Sequence, residues 1–398
     1  MNISVTKRKR VLFISNGNGE DLNACEVLKA LCANYADVET VALPLVGDGN
    51  AYRRAGVEIV TPTKALPSGG FAYMSVTKQI EDFRSGLIAL TWQQIKAARK
   101  CSKTCDFVFA TGDVLPALFA YLTGLPYAMF LVSSSAFYEN RYIPRWEQAL
   151  MMRSPRCKQI LTRDAYSADL IRQRGYQNAS FLGYPIMDVL EPTGKDLCLS
   201  SDAPAIALLT GSRLPEAAEN LVLQMCLCEA ISQEFAPQPV QFRAALVPSM
   251  MPLLPEIAAQ AGWQYDEGKL YHGRIIILCF SDAFADILHS CDLAIGMAGT
   301  AVEQAVGLGK PVVQIIGNGP QFSYRFAEAQ QRLLGLSVQT IGKEAATSEI
   351  LLEAARYVQR ALGDREYLEK CKINGLERLG TKGASERLAK AIATNLGI

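Results

Sequence analysis

The chain alternates short apolar runs with longer segments of helical periodicity. Runs at 11–15, 38–43, 57–60, 106–110, 127–132, 158–162 and 179–182 read as strands, and a second set follows at 205–210, 240–246, 275–279, 292–296 and 311–316. Most of these runs are apolar throughout, so helices are expected on both faces of each sheet. Such runs separated by helix-length segments predict an α/β protein with parallel, doubly wound, Rossmann-like sheets. Between the two sets lies 189–204, VLEPTGKDLCLSSDAP, polar and rich in turn residues. It predicts a linker joining a domain at 1–188 to a domain at 205–379. The tail from about 346 onward is helical in pattern.

One stretch has the length of a membrane span. Residues 114–138, VLPALFAYLTGLPYAMFLVSSSAFY, carry no charge. Pro116, Gly124 and Pro126 divide it into a short helix, a turn and a buried strand, YAMFLV. At 398 residues the chain can bury two cores. Its 40 Lys+Arg against 39 Asp+Glu leave no global field, so nucleic acid is not an expected partner. The 11 cysteines include no metal-ligand spacing with histidine; no metal is expected, and the thiols suit a reducing, cytoplasmic setting.

In open α/β sheets ligands bind beyond the carboxyl ends of the strands. The first such place is SNGNGED, residues 15–21. A dinucleotide fingerprint requires a third glycine where Leu22 stands, so nicotinamide binding is disfavoured. Asn18 or Gly19 could cap the following helix, with Glu20 and Asp21 as first-turn acids; alternatively the turn approaches a ligand. In FVFATGDVLPALFAY, Asp113 ends a buried strand, as an N-cap or as a group facing ligand. The chain has only two histidines, so a carboxylate, Asp113 or Glu20, is the favoured general base. Gly211, Ser212 and Arg213 follow another strand, with Pro215 and Glu216 opening a helix, a combination suited to an anion. The stretch 296–313, GMAGTAVEQAVGLGKPVV, puts small residues, Ala298, Gly299, Thr300 and Ala301, at a helix start, with Glu303 and Gln304 one turn in. Backbone amides there can meet a pyrophosphate, and Glu303 can accept from ribose hydroxyls.

The order of these segments, with FLGYPIMD at 181–188 and LLTGSRLPE at 208–216, resembles lipid-A-disaccharide synthases and their cyanobacterial-type relatives, which are GT-B glycosyltransferases. The resemblance implies two Rossmann-like domains facing a cleft, and a C-terminal helix at about 380–398 returning to the first domain. It implies inverting transfer of a sugar, an N-acetylglucosamine derivative, from a UDP-sugar to a lipid-linked acceptor, without metal or other cofactor. Gly211, Ser212, Arg213, Glu216, Gly299, Thr300, Ala301, Glu303 and Gln304 would then hold the donor. Asp113 would take the acceptor's proton, with Glu20 as a second carboxylate, and Asn18, Gly19, Tyr138 and Arg141 would line the acceptor side.

The chain departs from the synthases at SNGNGED and at SSSAFYENRYIPRWEQ, residues 133–148, where Tyr138, Arg141, Tyr142, Arg145 and Trp146 would reshape the acceptor pocket. Residues 66–92 hold Phe71, Tyr73, Met74, Leu87 and Ile88 near Lys78 and Arg84. That composition suits either peripheral contact with anionic lipid at the cytosolic membrane face or a helix packed on the sheet. Two rivals share the scaffold: a UDP-N-acetylglucosamine 2-epimerase or UDP-sugar hydrolase, and a non-catalytic nucleotide-sugar-binding protein.

Overall fold

A computed structural model describes residues 8–61, 87–317, 319 and 322–398. The chain divides into two compact units, Met1–Val189 with Thr381–Ile398, and Leu190–Gly380.

In the first unit the strands are β1 (Lys9–Ser15), β2 (Val38–Pro44), β3 (Glu58–Ile59), β4 (Phe107–Gly112), β5 (Tyr127–Leu131), β6 (Cys157–Thr162) and β7 (Ala179–Phe181). They form one sheet in the order β3-β2-β1-β4-β5-β6-β7, parallel at every pairing. The helices are α1 (Asn18–Asn34), α2 (Asn50–Arg54), α3 (Leu87–Cys101), α4 (Val114–Thr123), α5 (Trp146–Met152) and α6 (Ala165–Gln173). Side chains alternate across a strand, and here both sets are buried. Leu12, Ile14, Val108, Ala110, Met129 and Leu131 pack into one core cluster. On the same strands, Phe13 meets Phe109 at 5.4 Å between ring centroids, and Phe109 meets Phe130 at 6.1 Å. The uncharged segment 114–138 divides into α4, a left-handed turn at Gly124 and β5, as its punctuation predicts. No described helix is long and apolar enough to cross a membrane.

The second unit contains β8 (Ala205–Leu209), β9 (Gln241–Ala245), β10 (Gln264–Asp266), β11 (Lys269–His272), β12 (Ile275–Phe280), β13 (Leu293–Gly296), β14 (Val312–Ile315) and β15 (Val338–Ile341). Their order is β10-β11-β12-β9-β8-β13-β14-β15. The helices are α7 (Glu216–Phe235), α8 (Leu254–Gln260), α9 (Phe284–Ser290), α10 (Thr300–Gly307), α11 (Tyr324–Leu334), α12 (Ser348–Gly363) and α13 (Arg365–Leu379). The pattern of apolar runs does not predict β10, β11 or β15. The first two form an antiparallel hairpin on β12, closed by Glu267 and Gly268, both at positive φ. Two positive-φ residues make the kind of tight turn whose twist matches its flanking strands.

Segment 189–204, expected to link the domains, has no helix or strand but is fastened to the second unit. Asp286 accepts from Thr193 Oγ1, Gly194 N and Lys195 N at 3.0, 2.8 and 3.2 Å. Arg243 donates Nε to the Leu197 carbonyl and Nη2 to that of Cys198.

The last helix, α14 (Ala384–Leu396), lies with the first unit and packs on α1. FLGYPIMD supplies its dock. Asp188 accepts from the N–H groups of Gly383 and Ser385, both at 2.6 Å, capping the helix. Arg387 Nε donates to the Leu182 carbonyl at 2.7 Å. A side chain at Gly183, where φ is +101°, would meet Arg387 Nη2 at 2.5 Å and Ala384 Cβ at 2.8 Å.

Candidate functional site

In each sheet the chain begins centrally, moves outward one way, then crosses back to the other side. The crossing leaves a crevice between β1 and β4 in the first unit, and between β8 and β13 in the second. Ligands favour such switch points, because the loops leaving the two strands part there.

In the first unit the β1–β4 crevice gathers Asn16, Glu20 and Asp113. A Cβ on Gly112 would lie 3.3 Å from Asn16 Cβ and 3.5 Å from Glu20 Cγ, so both side chains cross the end of β4. Asn16 Nδ2 reaches Asp113 Oδ1 at 3.4 Å. Ser133, just beyond β5, donates to Glu20 Oε1 at 2.7 Å. Asp113 is the N-cap of α4, its Oδ1 accepting from Leu115 N at 2.9 Å. A carboxylate has two oxygens and several lone pairs, so the cap does not exhaust its capacity to accept a proton.

Glu20 and Asp21, alike in sequence, differ in place. Glu20 is half-buried at the crevice. Asp21 is 1% exposed and turned into the unit. Ser15 Oγ donates to its Oδ1 at 2.6 Å and lies 2.7 Å from the Tyr52 hydroxyl. Burial pushes the Asp21 pKa up to about 7, with Ser15 opposing and the neighbouring Glu20 charge adding to the rise. The helix cap differs from expectation: Gly17 is the N-cap, and α1 already includes Asn18 and Gly19. Space around Gly19 is open.

The residues beyond β5 are ordered by a network that sequence reasoning does not predict. Asp164 caps α6 through Ser167 N and accepts from Ser135 Oγ at 2.8 Å and Ser167 Oγ at 2.9 Å. Tyr138 ends the short helical turn that follows, half-buried. Arg141 is exposed and pairs with Glu139 at 2.8 Å. Tyr142, expected among the residues that reshape a pocket, is instead buried in the core with Gln148 donating to its hydroxyl at 3.0 Å. Tyrosine carries enough apolar surface to serve as core once its hydroxyl is satisfied.

Of the expected apolar patch, Phe71, Tyr73 and Met74 lie outside the described residues, as do the side chains of Leu87 and Ile88. A different apolar group is exposed among the described residues. Trp146 is 80% exposed, Ile143 60% and Leu150 54%. Leu115 and Leu118 of α4, which packs on α5, and Trp92 of α3, which packs on α4, are also exposed. Lys96 Nζ sits 5.4 Å from the centre of the Trp92 ring.

In the second unit the β8–β13 crevice is flanked by Gly211–Arg213 and by Met297–Ala301. Gly211 has φ +94°, and a Cβ there would lie 3.2 Å from the Met297 carbonyl oxygen, so the two loops touch. Two buried amides of α7 hold the ends of the strands. Asn220 Nδ2 donates to the Thr210 carbonyl at 3.0 Å, and Gln224 Nε2 to those of Leu209 and Ile295 at 3.2 and 3.4 Å. Ser212 and Arg213 are exposed, and the Glu216 carboxylate is close enough to act on Arg213 electrostatically. A side chain at Gly319 would meet Glu216 Cδ at 2.9 Å, so the turn after β14 also borders the site.

Gly299 precedes α10 without a side-chain cap, and Thr300, Ala301 and Glu303 form its first turn, partly exposed. The leading amides of a helix have no partner inside it, so they are available to an anion. Gln304 is 4% exposed, which separates it from those accessible neighbours. Among the described residues no group of three or more His, Cys, Asp or Glu side chains could hold a metal ion.

No family model matches the chain. It is 26% identical to a lipid-A-disaccharide synthase of Geobacter sulfurreducens over 241 residues, 55% of this chain and 57% of that protein. It is 26% identical to the lipid-A-disaccharide synthase of Thiobacillus denitrificans over 86% of this chain and 89% of that protein. Thus the first match spans little more than half of its relative, and the second spans most of it. Among solved structures, a calicheamicin glycosyltransferase superposes with a TM-score of 0.62 at 16% identity, covering 98% of both chains. The UDP-GlcNAc 2-epimerase of Neisseria meningitidis, solved with UDP-GlcNAc, superposes with a TM-score of 0.57 at 12% identity, covering 98% of this chain and 100% of that one. At such identities these structures show the fold, and the sequence matches show descent. The chain has the GT-B fold and is a distant relative of the lipid-A-disaccharide synthases.

Proposed function

We propose that the protein is an inverting, metal-independent glycosyltransferase that moves a sugar, an N-acetylglucosamine derivative, from UDP to a lipid-linked acceptor. The observation that carries this reading is the β8–β13 crevice, where Gly211 touches the Met297 loop beside the uncapped start of α10. Such a site offers backbone amides, a helix dipole and the Arg213 cation to a diphosphate leaving group, the stabilisation that transfer without a metal requires. Glu303, partly exposed in the first turn, is in position to accept from the ribose hydroxyls.

The first unit supplies the acceptor chemistry. Asp113 and Glu20 are the carboxylates at its switch crevice, and an inverting displacement needs one base to accept the attacking hydroxyl's proton. Asp113 is assigned that role, with Glu20, held by Ser133, orienting the acceptor. Exposed Trp146, Ile143 and Leu150, with Arg145 and Arg153 nearby in sequence, suit contact with the apolar part and anionic headgroups of a lipid. On this reading the protein works at the cytosolic face of a membrane, bound peripherally.

The test is release of UDP from UDP-N-acetylglucosamine and other UDP-sugars, with and without a membrane lipid extract. Lipid-dependent release is expected. Release of UDP without lipid would assign a hydrolase, and conversion of the UDP-sugar to its isomer without net release of UDP would assign an epimerase, an activity that occurs on this fold. Binding of UDP with neither release nor isomerisation would assign a nucleotide-sugar-binding protein.

A further inference from the structure

We propose that Thr340, Gln314 and Gln330 form a buried relay that positions and polarises the amides receiving the diphosphate. It rests on the nucleoside-diphosphate reading above and adds three residues that this reading does not use.

Gln314, on β14, is 0% exposed, and Gln330, on α11, is 5% exposed. Buried amides are costly unless every group is bonded, and theirs are bonded in one sense only. Gln330 Nε2 donates to the carbonyl oxygens of Gly299 and Ala298, at 2.9 and 3.3 Å. Carbonyls only accept, so the amide nitrogen of Gln330 must face the turn and its oxygen must face Gln314. Gln314 Nε2 donates to that oxygen. Gln314 Oε1 then accepts from the Thr340 hydroxyl at 3.2 Å, the nearer of that hydroxyl's two acceptors, the other being the Ala327 carbonyl at 3.5 Å. The direction, set by the carbonyls at the turn, runs from β15, through β14 and α11, to that turn.

The two carbonyls gripped by Gln330 belong to the peptides that carry the N–H groups of Gly299 and Thr300. Neither peptide is cis. In a trans peptide the C=O and N–H point to opposite sides, so holding the carbonyls on the core side directs both N–H groups away from it. These amides stand at the uncapped start of α10. A carbonyl that accepts a hydrogen bond also strengthens the N–H of its own peptide as a donor. The Gly299 carbonyl also accepts from Val302 N and Glu303 N at 3.1 and 3.4 Å, so the relay shares with α10 the orientation of the Thr300 amide, holds the Gly299 amide through the Ala298 carbonyl, and raises the affinity of both for an anion. All three relay members act through the backbone, so they are positioning residues.

A relay of this kind acts on the diphosphate and not on the nucleoside. Binding of UDP and of uridine is therefore measured by ligand-observed NMR, for the full-length protein and for Gln330→Leu, Thr340→Val and Thr340→Ser. Melting temperatures are recorded alongside. Gln330→Leu is expected to weaken UDP by about tenfold or more while uridine changes by less than roughly twofold. Thr340→Val is expected to give a smaller loss confined to UDP, and Thr340→Ser to restore it, since it keeps the hydroxyl. Equal loss of UDP and uridine, or UDP binding unchanged in Gln330→Leu, overturns the relay. Should Gln330→Leu fail to fold, Thr340→Val and Thr340→Ser decide the matter by the same split. If the unaltered protein does not bind UDP, the nucleoside-diphosphate reading falls and the relay with it. Unaltered UDP binding with no UDP-specific loss in the variants rejects the relay alone.

Discussion

Ser133 donates its hydroxyl to Glu20 at 2.7 Å, joining the end of β5 to the first turn of α1. The bond crosses β4 and so brackets Asp113, which caps α4 from the strand between them. Three neighbouring strands thereby contribute to one polar cluster, and the position of each carboxylate depends on a partner distant in sequence.

Asp113 has a capping role and, in the proposed reaction, a proton-accepting one, and two substitutions separate them. Asparagine caps helices about as well as aspartate, so Asp113→Asn should leave the melting temperature nearly unchanged. It should lower turnover roughly 10²–10⁴-fold, with UDP affinity retained. Asp113→Ala should lose turnover and also about 1 kcal/mol of stability. Turnover of Asp113→Asn close to that of the unaltered enzyme would remove Asp113 as the base.

Asp21 makes stability depend on pH. Its folded pKa, about 7, lies above the ordinary value of 3.8, so between those values the folded state holds a proton that the unfolded state has released. Stability from this group is therefore complete below about pH 4, falls as pH rises to about 7, and is level beyond. The difference from Asp21→Asn should amount to a few kcal/mol, on the order of 4 at most. Denaturant titrations of both proteins at pH 4.5 and 7.5 measure it, in roughly the range where the group titrates. Parallel pH profiles would show that Asp21 ionises normally.

Asp286 should behave in the opposite way. Burial acts to raise its pKa, but hydrogen bonds from Thr193, Gly194 and Lys195 outweigh this and hold it below 3.8. Its contribution is present above that value and is lost as pH falls through the lowered folded pKa. Asp286→Ala should accelerate hydrogen exchange at the Gly194 and Lys195 amides at neutral pH. Unchanged protection there would show that Arg243, Gln241 and Asp282 hold the segment without Asp286.

Trp146 and Leu150 lie on one side of α5, four residues apart, both exposed. Replacing both with serine should weaken binding to anionic phospholipid vesicles by about tenfold or more, because each apolar side chain buried in lipid contributes about 1.5–3 kcal/mol. Binding of UDP should not change. Vesicle binding equal to that of the unaltered protein would exclude this surface as the lipid contact.

The strands of both sheets were legible because most are apolar along their whole length, the pattern of a sheet covered on both faces. Strand β15 was not, nor was the hairpin β10–β11. Its strands, QYD and KLYH, are short and mixed, and they exist because β12 offers an edge to pair with. The candidate site was legible as far as the strand-end positions of Asp113, Gly211, Arg213 and Gly299, each of which follows an apolar run. It was illegible where neighbours in sequence part in space. Glu20 and Asp21 are equivalent first-turn acids on paper, yet the turn of a helix sends one to the crevice and the other beneath it.

By itself the sequence determined most of the parallel strands of both sheets, their ends, and the small-residue helix start at 298–301, because these follow from local periodicity and local steric size. Only the tertiary structure decided what the remaining polar groups do. Asp188 became the cap of a helix that starts nearly two hundred residues later, and Gln314, Gln330 and Thr340 became one relay. A hydrogen bond needs its partners within about 3 Å and in line, and that condition is met by packing, which places together residues that the order of the chain keeps apart.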